Sequence, residues 1–180
     1  MIIPNSKRKK ALIVVDIQQG FIKKWDIKSL RKNIEILFEN QKYDLYVEAT
    51  FFAPKGSIWD KQTGWTFPYE KSVPWMRELL KGKNTIQVKK KTKSVFKGNI
   101  DIEKHFKKYK IQEVHLIGFD SNDCVLTTAQ ESFDRGYFTY VIEECTGSSA
   151  GKKMYQQAIS ILRDVELTNR SKLITSKKIV

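Results

Sequence analysis

"IQEVHLIGFDSNDCVLTTAQESFDRG", residues 111–136, changes its hydrophobic period in the middle. The segment through Phe119 is apolar and of strand length, and polar residues 120–123 follow. The chain then becomes amphipathic, with Val125, Ala129 and Phe133 placed on one helical face and Gly136 as the stop. A buried strand, a short polar turn and a helix form a β-α unit. A cysteine, Cys124, stands at the seam.

The same unit recurs on both sides. "KKALIVVD" (9–16) holds five apolar residues between charges, the pattern of a strand buried on both faces of a parallel sheet. "SLRKNIEILFENQ" (29–41) places Leu30, Ile34, Leu37 and Phe38 at helical spacing, and "YDLYVEAT" (43–50) returns as a strand. Pro74 suits the first turn of a helix through "WMRELLKG" (75–82), and "NTIQVKKK" (84–91) is the third strand. A helix at 99–109, the fourth strand, the cysteine helix and a fifth strand, "YFTYVIEEC" (137–145), come next. "AGKKMYQQAISILRD" (150–164) reads as a helix with Met154, Ala158, Ile161 and Leu162 on one face, and "VELTN" (165–169) supplies a sixth strand. Residues 50–68 show no clear period and carry five aromatics, two glycines and two prolines, the marks of a functional loop. The expected fold is a single domain over 1–180: α/β, a three-layer α/β/α sandwich with a mostly parallel six-stranded sheet.

Composition narrows the class. No apolar stretch approaches the roughly 18 residues of a membrane span. The basic cluster before "ALIVV" precedes too short an apolar run for a signal peptide, so the expected location is the cytoplasm and the two cysteines, Cys124 and Cys145, are expected as free thiols. The net charge is +13, yet only six of 33 basic residues are arginine, the residue favoured for bidentate phosphate contacts. Residues 81–110 hold eleven lysines against Asp101 and Glu103, which predicts a basic face, with nucleic acid or another polyanion as its alternative partner.

In such sheets ligands bind beyond the carboxyl ends of the strands. Three ionisable residues stand there. Cys124 begins a helix, where free N–H groups and the dipole lower a thiol's pKa. Asp16 terminates the first strand. Lys90 ends the third strand, sharing parity with Ile86 and Val88. Together they make a nucleophile, a carboxylate to take its proton and a cation to hold both.

The chain resembles the isochorismatase-like cysteine hydrolase superfamily, which includes nicotinamidases, through three motifs in order. "DIQQGF" (16–21) matches Asp-x-Gln-x-x-Phe, "KKTKSVF" (90–96) is similar to Lys-x-x-x-Ser-x-Phe, and "GFDSNDCVLTTAQESFDRGY" (118–137) is similar to the nucleophile segment. The resemblance implies Cys124 as nucleophile, Asp16 as general base, Lys90 as the third member, the Asp120 and Cys124 N–H groups as an oxyanion hole, a cis Phe119–Asp120 peptide, and Phe21 as a pocket wall. It also implies a homo-oligomer, dimer or tetramer, acting on a small molecule. The aromatics Phe51, Phe52, Trp59 and Trp65 are further candidate walls. Family nicotinamidases carry an Asp-x-His metal pair after the second strand, where this chain reads "ATFFAPKGS", so no metal and no other cofactor is expected and nicotinamide is not the expected substrate. His105 and His115 are assigned to packing or surface, and Cys145 to structure.

Three functions follow for testing. The first is a metal-independent cysteine hydrolase cleaving a small amide or related C–N bond through a thioester. The second is vinyl-ether hydrolysis of an isochorismate-like molecule, relying on the carboxylate. The third is a non-catalytic scaffold whose basic face binds a polyanion.

Overall fold

In the computed structural model, which describes residues 8–168, the first apolar run forms strand β1 (Lys10–Val15), fully buried after Lys10. One helical turn, α1 (Gln19–Ile22), precedes α2 (Ile27–Asn40), which Asp26 caps by accepting from the Ser29 N–H. There follow β2 (Leu45–Phe51), α3 (Ile58–Thr63), α4 (Pro74–Leu80), β3 (Thr85–Lys90), a 3-10 turn at Val95–Lys97, α5 (Ile102–Tyr109), β4 (Glu113–Gly118), α6 (Cys124–Asp134), β5 (Phe138–Thr146) and α7 (Lys152–Asp164).

The sheet runs β3-β2-β1-β4-β5, and every pairing is parallel. Alternating residues feed two apolar layers. Leu12, Val14, Tyr46 and Ile117 face α1, α2 and α4, while Ala11, Ile13, Val47 and Leu116 face α5, α6 and α7. This is the three-layer α/β/α arrangement. The chain steps from β1 to β2 on one side and returns to β4 on the other, so the strand order reverses at β1. At such a switch point the loops diverge and leave a crevice above the carboxyl ends.

Three expectations need correction. Among the described residues the sheet has five strands rather than six: Glu166 takes φ 61° two residues past α7, and of "VELTN" only Leu167 and Thr168 reach the edge of β5, as one bridge to Val141; position 169 lies outside the described residues. Phe133 is 60% exposed, because at 100° per residue a position eight after Val125 is rotated by roughly 80° from it; Thr128 and Ser132 are buried on that face instead. On α7 the buried residues are Ala158, Ile159 and Leu162, while Met154 and Ile161 face outward. The 50–68 segment also holds a short helix, α3, capped by the Ser57 hydroxyl and closed by Gly64 at φ 70°.

Gly118 ends β4 at φ 114°, and a Cβ there would collide with the Val15 carbonyl oxygen. The close approach lets the Phe119 N–H donate to that same oxygen at 2.8 Å. Gly136 has φ 86° with open space around it. Gly118→Ala is therefore expected to cost roughly 3 kcal/mol or more, strain and overlap together, and Gly136→Ala about 1–2 kcal/mol from the left-handed conformation alone. Thermal unfolding of the two variants measures the difference; equal losses would refute the overlap argument.

Candidate active site

The carboxyl ends of β1, β3 and β4 bring three side chains together at the switch point. Asp16 follows β1 in the left-handed conformation at φ 49°, which non-glycine residues adopt at a cost of order 1–3 kcal/mol and mainly where surrounding structure enforces it. Its N–H still donates to the Ala49 carbonyl on β2, so the turn happens one residue past the ladder. Lys90 is the last residue of β3, level with Phe51 on β2. Cys124 is the first residue of α6.

These three side chains meet. The Lys90 ammonium donates to Asp16 Oδ2 at 2.6 Å, to the Thr92 carbonyl at 3.2 Å and to Cys124 Sγ at 3.2 Å. An ammonium has three donors, and each finds an acceptor. The Phe51 ring lies 4.9 Å from it. Asp16 is 0%, Lys90 1% and Cys124 6% exposed, so the cluster is almost closed to water. Asp16 Oδ1 is buried without a hydrogen-bond partner.

Burial decides the electrostatics. It pushes the Cys124 thiol well above its ordinary value; the Asp16 carboxylate adds to the rise, and the Lys90 charge offsets only part of it. Against the expected lowering of the thiol pKa, desolvation with the Asp16 charge outweighs the Lys90 cation. Burial likewise raises Asp16, against the opposing pull of Lys90. Desolvation works against the Lys90 charge, but the facing Asp16 and Cys124 more than compensate and hold its pKa high.

The backbone around the cysteine is tied down by polar contacts that the sequence reading did not assign. Asp120 accepts from the Ser149 N–H and hydroxyl, both at 2.6 Å. Ser121 donates to the Gly147 carbonyl through its N–H and its hydroxyl, each at 2.8 Å. The Phe119–Asp120 peptide is cis. Among the described residues neither the Asp120 nor the Cys124 N–H donates to a protein acceptor, which leaves two amide donors beside the thiol. Gln18 is another unassigned support: its amide donates to the Phe51 and Glu70 carbonyls and accepts from the Phe51 N–H. The signal lay within "DIQQGF", two residues after Asp16.

Aromatic rings cover the cluster. Trp65 stacks on Phe51 at 5.8 Å and on Phe67 at 5.6 Å, Trp59 meets Phe51 edge-on, and Phe21 stacks on Phe67 at 4.7 Å. Phe67 was not among the candidate walls, although it belongs to the same aromatic run. Phe52 is not a wall of this cluster: alternation along β2 turns it away, against Tyr69 and Lys91.

The positions after β2, Phe52 and Ala53, offer no metal-binding side chain, and among the described residues no group of three or more His, Cys, Asp and Glu could hold an ion. A metal does not fit there. His115 is buried in β4 between the Tyr43 hydroxyl at 2.9 Å and Glu113 Oε1 at 2.8 Å, and burial lowers its pKa. Cys145 is fully buried, and burial pushes its thiol far up. In the lysine-rich stretch Lys90 is buried, while Lys89, Lys91, Lys93, Lys97, Lys104 and Lys107 are exposed.

The sign of each influence on Cys124 sets an order of reactivity. Asp16→Asn removes a charge that raises the thiol pKa, and Lys90→Met removes one that lowers it. Alkylation of Cys124 by iodoacetamide at neutral pH should therefore run fastest in Asp16→Asn and slowest in Lys90→Met. Each pKa unit is worth roughly threefold in rate, because lower basicity offsets part of the tenfold gain in thiolate. Peptide mass spectrometry locates the label; identical rates in the three proteins would contradict the electrostatic assignment.

The isochorismatase domain model matches residues 10–172. The chain is 28% identical over 151 residues to the uncharacterized isochorismatase family protein YrdC of Bacillus subtilis (strain 168), covering 79% of this chain and 75% of that protein. The structure of pyrazinamidase/nicotinamidase from Streptococcus mutans UA159 superposes with a TM-score of 0.70 at 18% identity, over 89% of this chain and 99% of that one. The yeast nicotinamidase Pnc1p gives 0.70 at 16% identity, over 89% and 98%. An isochorismatase-like hydrolase from Alkaliphilus metalliredigens gives 0.69 at 21% identity, over 89% and 92%.

Proposed function

The chain belongs to the isochorismatase family, and on that premise we propose that it is a cysteine hydrolase that cleaves the C–N bond of a small amide. Cys124 is the nucleophile, Asp16 carries the proton and Lys90 holds both. The observation that carries this reading is the Lys90 ammonium lying within hydrogen-bond reach of Asp16 Oδ2 and Cys124 Sγ at once. The nicotinamidases among the similar structures are amide hydrolases by name, which supports an amide over other acyl compounds.

The resting thiol keeps its proton, so activation coincides with attack. Cys124 Sγ bonds to the substrate carbonyl carbon while its proton passes to Asp16. The developing oxyanion is met by the free N–H groups of Asp120 and Cys124, and one such donor is typically worth about 3–4 kcal/mol of barrier. Asp16 then protonates the amine nitrogen, the C–N bond breaks, and a thioester remains. Water attacks the thioester, giving its proton to Asp16, and the acid leaves as the proton returns to sulfur. A carboxyl raised above its ordinary range is better matched to both directions of this transfer near neutral pH. Phe21, Phe51, Trp59, Trp65 and Phe67 wall the site, which favours a small, flat, largely apolar acyl group. No metal takes part in any step.

Ammonia release from a panel of small amides tests the reading. Cys124→Ala should lose roughly 10³-fold or more in kcat; full activity in that variant would sink the thioester mechanism. The pH profile gives a second check. Asp16 must be ionised to accept the thiol proton, so kcat/KM should fall on the acid side through an apparent pKa above the roughly 3.9 of free aspartate. Lys90→Met removes the charge that lowers Asp16, so in that variant the acid limb should move to higher pH; an unshifted limb would assign it to another group.

A second reading, vinyl-ether hydrolysis, is favoured by the unpartnered Asp16 Oδ1, a carboxyl oxygen free to donate or take a proton at carbon. Its signature is turnover of an isochorismate-like compound that survives Cys124→Ala and is lost in Asp16→Asn.

A further inference from the structure

On the other face of the sheet, behind Lys90, lies a cavity of about 130 Å³ between β2, β3 and the segment entering α4. That is about ten times the space one water needs. The two sites share strands: Thr50 pairs with Lys89 and Phe51 with Lys90, so alternate residues of β3 serve opposite faces.

The polar groups of this cavity are sorted by depth. Its floor consists of acceptors. Glu48 is 6% exposed, Thr50 6% and Ser72 2%. Glu48 Oε2 accepts from the Gln87 amide at 3.2 Å, Thr50 donates only a long bond of 3.5 Å to the Val88 carbonyl, and Ser72 Oγ has no partner. Its rim consists of cations: Lys71, Arg77 and Lys89, all exposed. Arg77 is aimed by a 3.0 Å bond from its Nε to the Ser72 carbonyl, and Lys89 lies over the Tyr69 ring at 4.7 Å. Among the described residues neither Glu48 nor any of the three rim cations forms an ion pair.

A buried carboxylate without a cation and a buried hydroxyl without a partner are costly arrangements. A ligand would relieve both. A bare anion would meet Glu48 at the floor, and a bare ammonium would have to pass three positive rim groups. From this polarity we infer that the cavity binds a small zwitterion of the α-amino acid class. The ammonium sits on Glu48, Ser72 and Thr50, and the adjacent carboxylate sits under Arg77 and the rim lysines. The site is separate from Cys124 and stands whether or not the hydrolase reading holds.

Thermal unfolding of the full chain with millimolar glycine, L-alanine, L-serine or L-aspartate tests this, with methylamine, acetate and inorganic phosphate as single-charge controls. At least one amino acid is expected to raise the melting temperature, by roughly 5–10 °C at about 100-fold excess over Kd, while the controls leave it unchanged. The shift should vanish in Glu48→Gln and in Arg77→Met, and persist in Cys124→Ala. Arg77 is on the surface, so its variant tests the site even if the Glu48 variant folds poorly. The inference is overturned if no amino acid shifts the transition, if acetate or phosphate alone matches the amino acid, if Arg77→Met keeps the shift, or if Cys124→Ala loses it.

Discussion

The Lys90 ammonium has almost no contact with water, and the surrounding architecture is arranged so that this is tolerable. Transferring an unpaired charge into a protein interior costs several kcal/mol even after relaxation, and removing one partner of a buried pair typically costs about 3–5 kcal/mol. Lys90 escapes this cost only because Asp16, Cys124 and the Thr92 carbonyl take its three donors. That condition reaches far into the fold. Asp16 must leave β1 in a left-handed conformation, β3 must hold register with β2 so that Lys90 ends level with Phe51, and β4 must run close enough to β1 that Gly118 alone fits beside Val15. A parallel sheet with its switch point at β1 meets all three conditions at one end.

The same burial that makes the ion pair demanding governs the sulfur. A thiol at a helix N-terminus beside a lysine would be acidic in an open setting. Here desolvation and the neighbouring carboxylate outweigh the lysine, and the thiol keeps its proton. An acidic resting thiolate would compete with Asp16 for Lys90. A protonated thiol leaves the Asp16–Lys90 pair intact, and in the hydrolase reading we propose it makes nucleophile formation a concerted event, with the proton moving as the carbonyl arrives. In the proposed chemistry the two unengaged amides of Asp120 and Cys124 then matter more than thiol acidity, because they act only once charge develops on the substrate.

Much of this was readable in the chain because local and tertiary signals agreed. The five segments read as strands became five parallel strands, and the resemblance of "KKTKSVF" to the family motif, in agreement with the parity of Ile86, Val88 and Lys90, picked out the lysine that the Asp16 and Cys124 side chains meet. What could not be read depends on geometry between distant segments. Helical spacing alone placed Phe133 inside, whereas the rotation of α6 against the sheet puts Thr128 and Ser132 there. The sixth strand failed because Glu166 turns the chain before the segment can pair. The upward push on the thiol could not be read because sequence reveals the neighbours of Cys124 but not how deeply it is buried. The clamp of Asp120 onto Ser149 joins residues 29 apart in two loops, and no periodicity announces it.

Strand β3 shows how one short segment can carry two opposed demands. It is the edge of the sheet, so its residues are less constrained by packing than those of β1, and its burial alternates where β1 is buried throughout. Val88 and Lys90 point into the layer shared with α5, α6 and α7, where a lysine survives only with a carboxylate opposite it. Gln87 and Lys89 point to the other layer, where, among the described residues, Glu48 at the floor has no cation partner and Lys89 at the rim no acidic one. The same residue type is thus fully neutralised on one face and left with an uncommitted charge one position earlier on the other. Charge that is committed builds structure, and charge that is left over, facing a walled cavity, defines what the cavity can recognise.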